Sequence, residues 1–419
     1  MLSTNDAFAR VLATARPLPS ETRPLPAAAG RVLAQALRAD RDFPPFDRVA
    51  MDGIAVAHRA WAGGQVTFPL AHAQYAGAPA RPLPGPATAA EVMTGAVLPP
   101  GADTVVRYED LDLDEAARQA TIRIPAPPRP GQHVHPQAQD RRRGDLLLPA
   151  GLRLGPAEMA VAATVGAAAV EVVGRARVAL VSTGDELVEV GAQPLPHQIR
   201  RSNVYALLAL FTAAGAECAL YHFPDDPGQL RAGLAPLLAP GAYEAVVLSG
   251  AVSKGRADHL PGILRELEVD EIFHEVAQRP GKPMWFGQRA GGGPVVFGLP
   301  GNPVSTLLTA YRYVRPWLRA SQQFPTPPAP AEAPGAAAPW LAELRAPAVL
   351  AADVDFRPRL TYFLPVRLEV DAQGRRRAHP APTGGSGDLA GLLGCQGFLE
   401  LPPTPTHFAA GEAWPCWAL

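Results

Sequence analysis

Hydrophobic residues between 175 and 323 follow two alternating patterns. Short runs of β-formers, typical of buried strands, occur at 178–181, 217–221, 245–248, 271–276 and 295–297. Segments between these runs repeat hydrophobic residues every three or four positions, as in Val204, Leu207 and Phe211, which is typical of an amphipathic helix. Because strands that alternate with helices at this spacing form parallel sheets, we predict a doubly wound, mainly parallel α/β domain.

The pattern before residue 175 is made of shorter elements. Ser3 can cap a first helix, which Pro17 ends, and a second helix is predicted at 30–37. An alanine-rich stretch beginning at 157 predicts a further helix, with a strand after it at 168–173. The region between them predicts a small β-rich domain inserted into the chain, because proline turns separate short strand-like runs at 49–56, 65–70, 89–93, 104–107 and 121–124.

These changes of pattern predict a multidomain α/β plus β protein. An N-terminal helix occupies 1–20 and the α/β domain 175–323, and a small α/β module combines 21–43 with 145–174. The inserted β-rich domain occupies 44–144, and 324–340 is a Pro/Ala linker. Residues 341–419 are strand-like with glycine turns and predict a C-terminal β-barrel domain.

Composition narrows the function classes. The net charge of −1 and pI of about 6.8 provide no field that would attract nucleic acid or a membrane surface, so neither is expected as a partner. The three cysteines lie far apart and form no CxxC pair, which argues against a disulfide framework or a zinc site. Together with the lack of a signal-peptide pattern at 1–15, they predict a cytoplasmic protein.

A strand–turn–helix corner at 295–308 is the first candidate binding element. Its turn contains Gly298, Pro300, Gly301, Asn302 and Pro303, and Pro303 suits the first position of a helix. The free N–H groups at a helix start, next to glycines that allow close approach, can bind an anion. An ordinary βα connection that needs glycine for steric reasons explains the corner equally well.

Charged residues follow the other strands of the predicted sheet. Because the carboxyl ends of parallel strands share one edge, the loops after them should converge. Carboxylates there can hold Mg²⁺ while cations neutralise phosphate, although a single aspartate is often only a helix cap. The residues concerned are Asp185, Glu186, Asp225, Asp226, Lys254, Arg256, Asp258, Arg279 and Lys282.

Several common active-site motifs are not present in the sequence. It contains no GxxxxGK[ST] and no GxGxxG after a strand, so neither a P-loop nor a dinucleotide site is predicted. No G-x-S-x-G elbow surrounds Ser249 or Ser253, and no HExxH occurs among the ten histidines.

The motifs taken in order resemble those of the molybdopterin molybdenumtransferases, a family that includes the C-terminal domain of gephyrin. The resemblance covers nearly the whole chain, and its specificity comes from the combination rather than from any one stretch. The matching stretches are Ala50-Met-Asp-Gly53, Met93-Thr-Gly-Ala96, Ser182-Thr-Gly-Asp-Glu-Leu187, Asp225-Asp-Pro227, Ser249-Gly-Ala-Val-Ser253 with Asp258, Pro280-Gly-Lys-Pro283 and Gly298-Leu-Pro-Gly-Asn-Pro-Val-Ser305.

The resemblance implies a four-domain architecture in which the N-terminal helix packs on the α/β domain. It also implies an elongated homodimer. It implies a site between the α/β domain of one subunit and the inserted domain of the other. The implied reaction, that of a molybdopterin molybdotransferase, takes adenylylated molybdopterin and molybdate as substrates and yields molybdenum cofactor and AMP. A molybdopterin adenylyltransferase is a possible partner that would deliver the substrate.

Carried over by position, the resemblance places Asp52, Thr94, Asp140, Glu186, Asp225, Asp258 and Lys282 at the site, with Ser386 from the terminal domain. Combined with the strand-end loops, this predicts a catalytic set, a substrate-binding set and a Mg²⁺-binding set. The catalytic set is Asp52, Thr94, Glu186, Asp258 and Lys282. The substrate-binding set is Asp140, Ser182, Thr183, Gly184, Asp185, Asp225, Ser249, Gly250, Ser253, Arg279, Gly298, Pro300, Gly301, Asn302, Pro303 and Ser386. The Mg²⁺ ligands are Glu186, Asp225, Asp226 and Asp258.

The chain departs from the family pattern at three places: the 133–139 loop, Arg279, and Lys254 with Arg256 in the loop before Asp258. Where relatives carry an arginine-rich run, residues 133–139 read His-Val-His-Pro-Gln-Ala-Gln, and three arginines follow only after Asp140. Arg279 replaces the usual lysine before Pro-Gly-Lys, which keeps the charge and changes its geometry. We hypothesise that Lys254 and Arg256 replace the lost arginines near the bound anion.

Two alternatives to the transferase stay open at the level of sequence. One is a non-catalytic relative that binds molybdopterin or acts as a scaffold, which the altered 133–139 loop allows. The other is a molybdopterin adenylyltransferase that shares only the α/β domain. The matching stretches at 50–53 and 93–96 lie outside that domain and argue against it.

Overall fold

The computed structural model describes residues 1–124, 129–250, 259–323, 339–382 and 384–419. They form two compact units, each with its own core. The first unit comprises Met1–Thr22, Gly30–Ala34 and Glu171–Leu419, and the second comprises Arg23–Ala29 and Gln35–Val170.

The α-helices of the described residues are α1 (Thr4–Leu12), α2 (His58–Ala62), α3 (Pro156–Thr164), α4 (Asn203–Ala213), α5 (Pro227–Leu237), α6 (Leu260–Glu266), α7 (Pro303–Thr309), α8 (Arg315–Ser321) and α9 (Pro339–Leu344). A π-helical segment, Ala310–Val314, joins α7 to α8. Short 3₁₀ segments lie at Leu25–Ala28, Tyr108–Asp110, Ala290–Gly292 and Ala390–Leu392. None of the helices in the described ranges is long and apolar enough to cross a membrane.

The strands fall into three stretches of the chain. Those of the first stretch are β1 (Ser20–Pro24), β2 (Leu37–Arg38), β3 (Arg48–Val49), β4 (Gly53–Val56), β5 (Thr67–Gln74), β6 (Ala89–Val92), β7 (Thr104–Arg107), β8 (Leu111–Asp114), β9 (Gln119–Ile122), β10 (Val134–His135) and β11 (Leu146–Leu148). Those of the second are β12 (Ala169–Val173), β13 (Arg177–Thr183), β14 (Leu187–Val188), β15 (Ile199–Arg200), β16 (Glu217–Phe223), β17 (Ala245–Ser249), β18 (Val269–His274), β19 (Gln278–Arg279), β20 (Trp285–Arg289) and β21 (Val295–Leu299). The third contains β22 (Arg345–Leu350), β23 (Val354–Asp355), β24 (Thr361–Val370), β25 (Arg376–Pro380), β26 (Gly397–Leu401), β27 (His407–Phe408) and β28 (Ala413–Ala418).

A six-stranded sheet with the order β16-β13-β17-β21-β20-β18 is the centre of the first unit. The pairings β16–β13, β13–β17 and β17–β21 are parallel, and the last two are antiparallel. Strands β17 and β21 are buried along their whole length, as expected of parallel strands with both faces covered. One face packs on α1, α4 and the continuous 303–321 helix, and the other on α5 and α6. The predicted doubly wound, mainly parallel sheet is therefore confirmed.

The end of the chain forms a closed barrel. Strands β24, β25, β22, β28 and β26 follow one another, and the β24–β26 pairing closes the ring. Leu350, Val366, Leu399 and Phe408 fill its interior. Outside the barrel, Val304 and Leu308 of α7 pack against its Phe363 and Phe398 in a shared cluster. Each such buried side chain contributes about 1.5–3 kcal/mol, so this contact firmly joins the barrel to the helix that follows β21.

The second unit contains a six-stranded sheet with the order β7-β4-β6-β5-β9-β8, mostly antiparallel, over a core that includes Ile54, Phe68 and Val106. This confirms a β-rich inserted domain. A bend at Met51 and Asp52 separates β3 from β4. Gly53 has φ +157°, and an added Cβ would lie 1.9 Å from the Val106 carbonyl oxygen. Only glycine allows the two strands to approach this closely.

The predicted helix at 30–37 is wrong. Leu33 instead forms an antiparallel bridge with Val172, and the Ala34 N–H donates to the Glu171 carbonyl oxygen at 2.8 Å. The buried Arg31 donates to Glu21 Oε1 at 2.6 Å and to the Val173 carbonyl oxygen at 2.7 Å. These tertiary bonds take the backbone groups that a helix would need, which overrides a local helical preference.

Candidate active site

A cavity of about 840 Å³ lies at the carboxyl ends of the parallel strands in the first unit. Strand β13 ends at Thr183, β17 at Ser249 and β21 at Leu299, and their register places Ser182, Ser249 and Leu299 side by side. Loops that leave adjacent parallel strands at one level must converge. Twelve residues of the predicted catalytic and substrate-binding sets line this cavity: Ser182, Thr183, Glu186, Ser249, Gly250, Arg279, Lys282, Pro300, Gly301, Asn302, Pro303 and Ser386.

The turn before α7 is held in place by side chains of its own helix. Thr306 Oγ1 donates to the Pro300 carbonyl oxygen at 2.5 Å, and Pro303 occupies the first helical position. Asn302, the N-cap residue, makes no side-chain capping bond and donates instead to Ser386 Oγ at 3.0 Å. The Val304 N–H donates to the Ser386 carbonyl oxygen at 3.0 Å. The turn therefore holds the barrel loop that carries Ser386 at the cavity.

Glu186 differs from the acidic residues around it. Gly184 has φ +138°, and an added Cβ would lie 2.5 Å from Glu186 Oε2, so glycine makes room for this carboxylate. Among the residues that the structure describes, the Glu186 carboxylate has no hydrogen-bond or ion-pair partner. It is exposed and lines the cavity. It is therefore available to a ligand.

Five other predicted residues in the described part of the first unit do not line the cavity: Gly184, Asp185, Asp225, Asp226 and Gly298. Asp185 accepts the Asp225 N–H at 3.2 Å, and Asp226 caps α5 by accepting the Gln229 N–H at 2.8 Å. Gly184 lies beneath the Glu186 carboxylate, and Gly298 lies inside β21, paired with Leu248 and Trp285. Asp185 thus connects its own loop to the loop after β16, and Asp226 stabilises the start of α5.

The Pro280-Gly281-Lys282 turn is built on a buried polar network. Gln278, which is fully buried, donates to the Gly281 carbonyl oxygen at 3.0 Å and accepts from the Tyr313 hydroxyl at 2.6 Å. Burial raises the pKa of the Tyr313 hydroxyl, which keeps it a neutral donor. Gly281 has φ +86°, with Thr309 directly behind it. The turn presents Arg279 and Lys282, both exposed, at the cavity.

Sequence reasoning missed several residues that line the cavity, among them Arg200, Arg201, Asn203 and Tyr362. Arg201 is mostly buried and forms an ion pair with Glu189 at 2.8 Å. The Tyr362 ring stacks on Phe356 with centroids 4.2 Å apart, and Tyr362 is the register partner of Arg279. Arg200 and Arg201 could have been predicted, because two consecutive arginines just before the start of α4 indicate an anion-binding surface. The sequence contained no comparable signal for Tyr362.

The second unit contains another predicted pair, Asp52 and Thr94. The Thr94 N–H and hydroxyl both donate to Asp52 Oδ1, at 2.6 and 2.8 Å. These bonds, the backbone one first, lower the pKa of the Asp52 carboxyl. Asp52 is therefore a charged, oriented group on an exposed turn.

Asp140, in the altered loop, is also held by a neighbour. His135 Nε2 lies 2.9 Å from Asp140 Oδ1, and its Nδ1 lies 3.1 Å from an Arg48 amino group. Since the arginine can only donate, Nδ1 accepts and the ring proton is on Nε2, facing the carboxylate. A histidine of the 133–139 loop thus contacts Asp140, at the place where the family resemblance leads us to expect arginines.

Ser253 and Asp258 lie outside the described residues, as do Lys254 and Arg256. Within the described ranges, no three Asp, Glu, His or Cys side chains group closely enough to hold a metal on their own.

The Thr183 hydroxyl at the end of β13 is buried, and Oγ1 has no hydrogen-bond partner among the described residues. An added Cβ at Gly250 would lie 3.2 Å from it.

Comparison with known proteins identifies the family. Three family models match consecutive parts of the chain: the MoeA N-terminal region (domain I and II) at residues 2–166, a probable molybdopterin binding domain at 179–320 and the MoeA C-terminal region (domain IV) at 347–418. The chain is 38% identical over 390 residues to a molybdopterin molybdenumtransferase of Synechocystis sp., covering 93% of this chain and 92% of that protein.

Two further comparisons agree. A molybdopterin molybdenumtransferase of Haemophilus influenzae is 32% identical over 335 residues, covering 78% of this chain and 80% of that protein. The crystal structure of a molybdopterin biosynthesis MoeA protein from Pyrococcus horikoshii is 28% identical, with a TM-score of 0.79 over 100% of this chain and 99% of that chain. The family resemblance seen in the sequence is confirmed, and the chain belongs to the molybdopterin molybdenumtransferase (MoeA) family.

Proposed function

We propose that this protein inserts molybdate into adenylylated molybdopterin, with release of AMP, in the cavity at the strand ends. The observation that carries the proposal is the meeting of Glu186, Lys282 and the 300–303 turn, from three separate loops, in one cavity of a protein of this family. A volume of about 840 Å³ is in the range of cavities that take a ligand of this size.

The cations and hydroxyls of the cavity suit an anionic substrate. Lys282 and Arg279 can neutralise the negative charge that develops as the phosphoanhydride breaks and AMP leaves. Thr183 and Ser249 supply hydroxyl groups at the ends of β13 and β17 for phosphate or molybdate oxygens, whereas the Ser182 hydroxyl donates to the Tyr221 carbonyl oxygen at 3.2 Å. In this assignment the cations bind the leaving phosphate, and the hydroxyls orient the oxyanion.

The described carboxylates fit Mg²⁺ in the way this ion usually binds. Mg²⁺ is commonly held by one or two carboxylates together with substrate phosphates, so it needs no three-residue protein cluster. Glu186, which has no partner among the described residues, and Asp225 of the adjacent loop are the ligands we assign. Oδ1 of Asp226 already accepts the hydrogen bond that caps α5. Asp258 remains a proposed ligand and lies outside the described ranges. When bound, the ion would neutralise phosphate charge.

We further propose a homodimer in which Asp52 and Thr94 of one copy serve the cavity of the other. The lowered pKa of Asp52 supports a role as a fixed charge that orients substrate, because a strongly held carboxylate is a weak base.

Mixing two inactive variants tests the homodimer. Asp52→Ala and Lys282→Ala chains, refolded together in equal amounts, would give half heterodimers, each with one intact site. About a quarter of the wild-type activity is therefore expected. If the mixture stays as inactive as either variant alone, the two residues act within one chain and the assignment of a site shared between two copies is wrong.

One assay tests the reaction. Adenylylated molybdopterin and Mg²⁺ are supplied with and without molybdate, and AMP is measured. Release that depends on molybdate supports the proposal. Tight binding with no release would identify a binding or scaffold relative, and adenylylation of molybdopterin by ATP in a parallel assay would identify an adenylyltransferase.

The remaining predictions concern setting and supply. We propose a cytoplasmic location, supported by Cys218, Cys395 and Cys416, which are all free thiols in the structure. A molybdopterin adenylyltransferase is the proposed supplier, because the substrate must arrive already adenylylated. Co-purification of the two proteins from cell extract would test that partnership.

A further inference from the structure

Asn203 joins three loops at the floor of the cavity. It is the first residue of α4, and its Nδ2 lies 2.9 Å from Ser249 Oγ, 2.8 Å from the Gly301 carbonyl oxygen and 3.2 Å from Thr306 Oγ1. Ser249 ends β17, and Gly301 and Thr306 belong to the turn and helix after β21. One amide group therefore links the ends of two parallel strands.

The chemistry of its neighbours fixes the orientation of this amide. The Gly301 carbonyl oxygen can only accept a hydrogen bond, and the Thr306 hydroxyl already gives its proton to the Pro300 carbonyl oxygen at 2.5 Å. The group that faces both must be the NH₂ of Asn203, because an amide oxygen there would meet two acceptors.

This orientation determines what the Ser249 hydroxyl can do. Since Nδ2 cannot accept, Ser249 Oγ is the acceptor of that bond, and its own proton stays uncommitted. Within the described ranges the Ser249 hydroxyl has no acceptor, and Ser249 is only 4% exposed. Buried polar groups are normally hydrogen-bonded, so a nearly buried hydroxyl with an unused proton at a cavity wall is suited to donate to a bound ligand.

A second hydroxyl beside it is in the same condition. Thr183 Oγ1 is buried and without a partner among the described residues, and it lies next to the Gly250 backbone, directly after Ser249. Gly250 has φ +105°, and an added Cβ would lie 3.1 Å from the Thr183 carbonyl oxygen and 3.2 Å from Oγ1. Two hydroxyls with unused protons, both next to Gly250, suit a ligand oxygen that accepts hydrogen bonds.

We propose that Asn203 is a positioning residue that makes the Ser249 hydroxyl a donor to an anionic oxygen of the substrate. This proposal rests on the proposed function for the identity of the substrate. A phosphate or molybdate oxygen only accepts, and its bond to a buried hydroxyl is strengthened by its charge. Asn203 acts through Ser249 and contributes by orientation, without touching the reacting atoms.

A double-mutant cycle tests the proposal. The dissociation constant of adenylylated molybdopterin is measured without molybdate, so that no turnover occurs, for the wild type, Asn203→Ala, Ser249→Ala and the double variant. Each single change is expected to weaken binding about ten- to thirtyfold, the loss of one hydrogen bond to a charged group. The double variant should bind no more weakly than the weaker single variant. Losses that multiply, or an unchanged Asn203→Ala variant, would overturn the proposal.

Controls separate positioning from folding. Asn5→Ala removes the same side chain from an exposed position in α1 and should bind substrate like the wild type. Thermal unfolding is followed for every variant. If Asn203→Ala does not fold, Asn203→Ser replaces it in the cycle, because serine is favoured at a helix start and is too short to bridge the loops.

The same samples distinguish failure of this proposal from failure of the proposed function. If the wild type releases AMP with molybdate and the cycle is multiplicative, only the role of Asn203 is wrong. If the four variants show the predicted coupling in substrate binding and the wild type releases no AMP, only the assignment of transferase activity is wrong.

Discussion

Two carboxylates, one in each unit, are held in opposite ways. Asp52 accepts two hydrogen bonds from Thr94, which lower its pKa and fix its direction. Glu186 lies over Gly184 and has no side-chain partner in the part of the chain that the structure describes. A carboxylate with one oxygen held by two donors suits orientation, and one with both oxygens free suits binding of a cation or ligand. This difference predicts that substitutions affecting the two residues will change turnover and stability to different extents.

The largest effect is expected for Glu186→Gln. Losing the charge while keeping the shape should lower molybdate-dependent AMP release on the order of a hundred- to a thousandfold, a typical cost of removing one key electrostatic group. The melting temperature should stay close to that of the wild type, because the carboxylate has no partner among the described residues. Glu217→Gln, at the opposite end of the sheet in β16, is the matched control. A large drop in melting temperature would show that Glu186 is structural.

Gly184→Ala tests the space that Glu186 needs. The new Cβ would lie 2.5 Å from Glu186 Oε2 and would sit on a backbone with φ +138°, so the carboxylate must move. Displacement of about an ångström at a reacting centre costs up to about a hundredfold, and we expect a loss of turnover approaching that. Steady-state kinetics should show the loss mainly in kcat. Unchanged kinetics would mean that the position of Glu186 does not matter.

Thr94→Ala should have a smaller effect, about tenfold on turnover. It removes the hydroxyl bond to Asp52 and keeps the backbone bond, so the pKa of Asp52 should rise only part of the way to its ordinary value. Thr94→Ser should restore both activity and pKa. The pKa can be followed by NMR of the labelled carboxyl carbon, and a Thr94→Ala variant with an unchanged Asp52 pKa would contradict this account.

The smallest effect is a pH dependence of stability that belongs to Asp52 alone. Because its folded pKa is below the ordinary value of 3.8, its contribution is fully present above that pH. The contribution is lost as pH falls through the lowered pKa. The stability difference between the wild type and Asp52→Asn in urea should therefore be constant at neutral pH and shrink in acid. A difference that instead grows in acid would contradict the lowered pKa.

Much of the cavity could be predicted because it depends on parallel-strand topology. The alternation of strands and helices places the loops after β13, β17 and β21 at one edge, which is why Ser182, Ser249 and the 300–303 turn came together as expected. The roles of Asp185 and Asp226 were harder to predict, because a carboxylate in a loop can bind a ligand or hold the loop. The sequence is the same in both cases, and only the N–H groups within reach distinguish them.

The failed prediction of a helix at 30–37 has a related cause. The local sequence preference favoured a helix. Backbone hydrogen bonds to residues more than a hundred positions away instead stabilise an extended backbone at Leu33 and Ala34. Tyr362 was missed because it enters the cavity through the pairing of β19 with β24, strands from different domains. No periodicity within one segment reports such a pairing.

The sequence by itself determined the family, the order of the elements and the edge of the sheet at which the cavity lies, since hydrophobic period and turn residues are local properties of the chain. Tertiary structure alone decided which polar groups are used up and which remain free. In the folded chain Asp226 caps a helix, and the Glu186 carboxylate has no partner among the described residues. The Asn203 amide is oriented so that the Ser249 hydroxyl accepts from it and has its own proton available to donate. The reason is that hydrogen-bond partners are set by distances of about 3 Å between segments far apart in sequence.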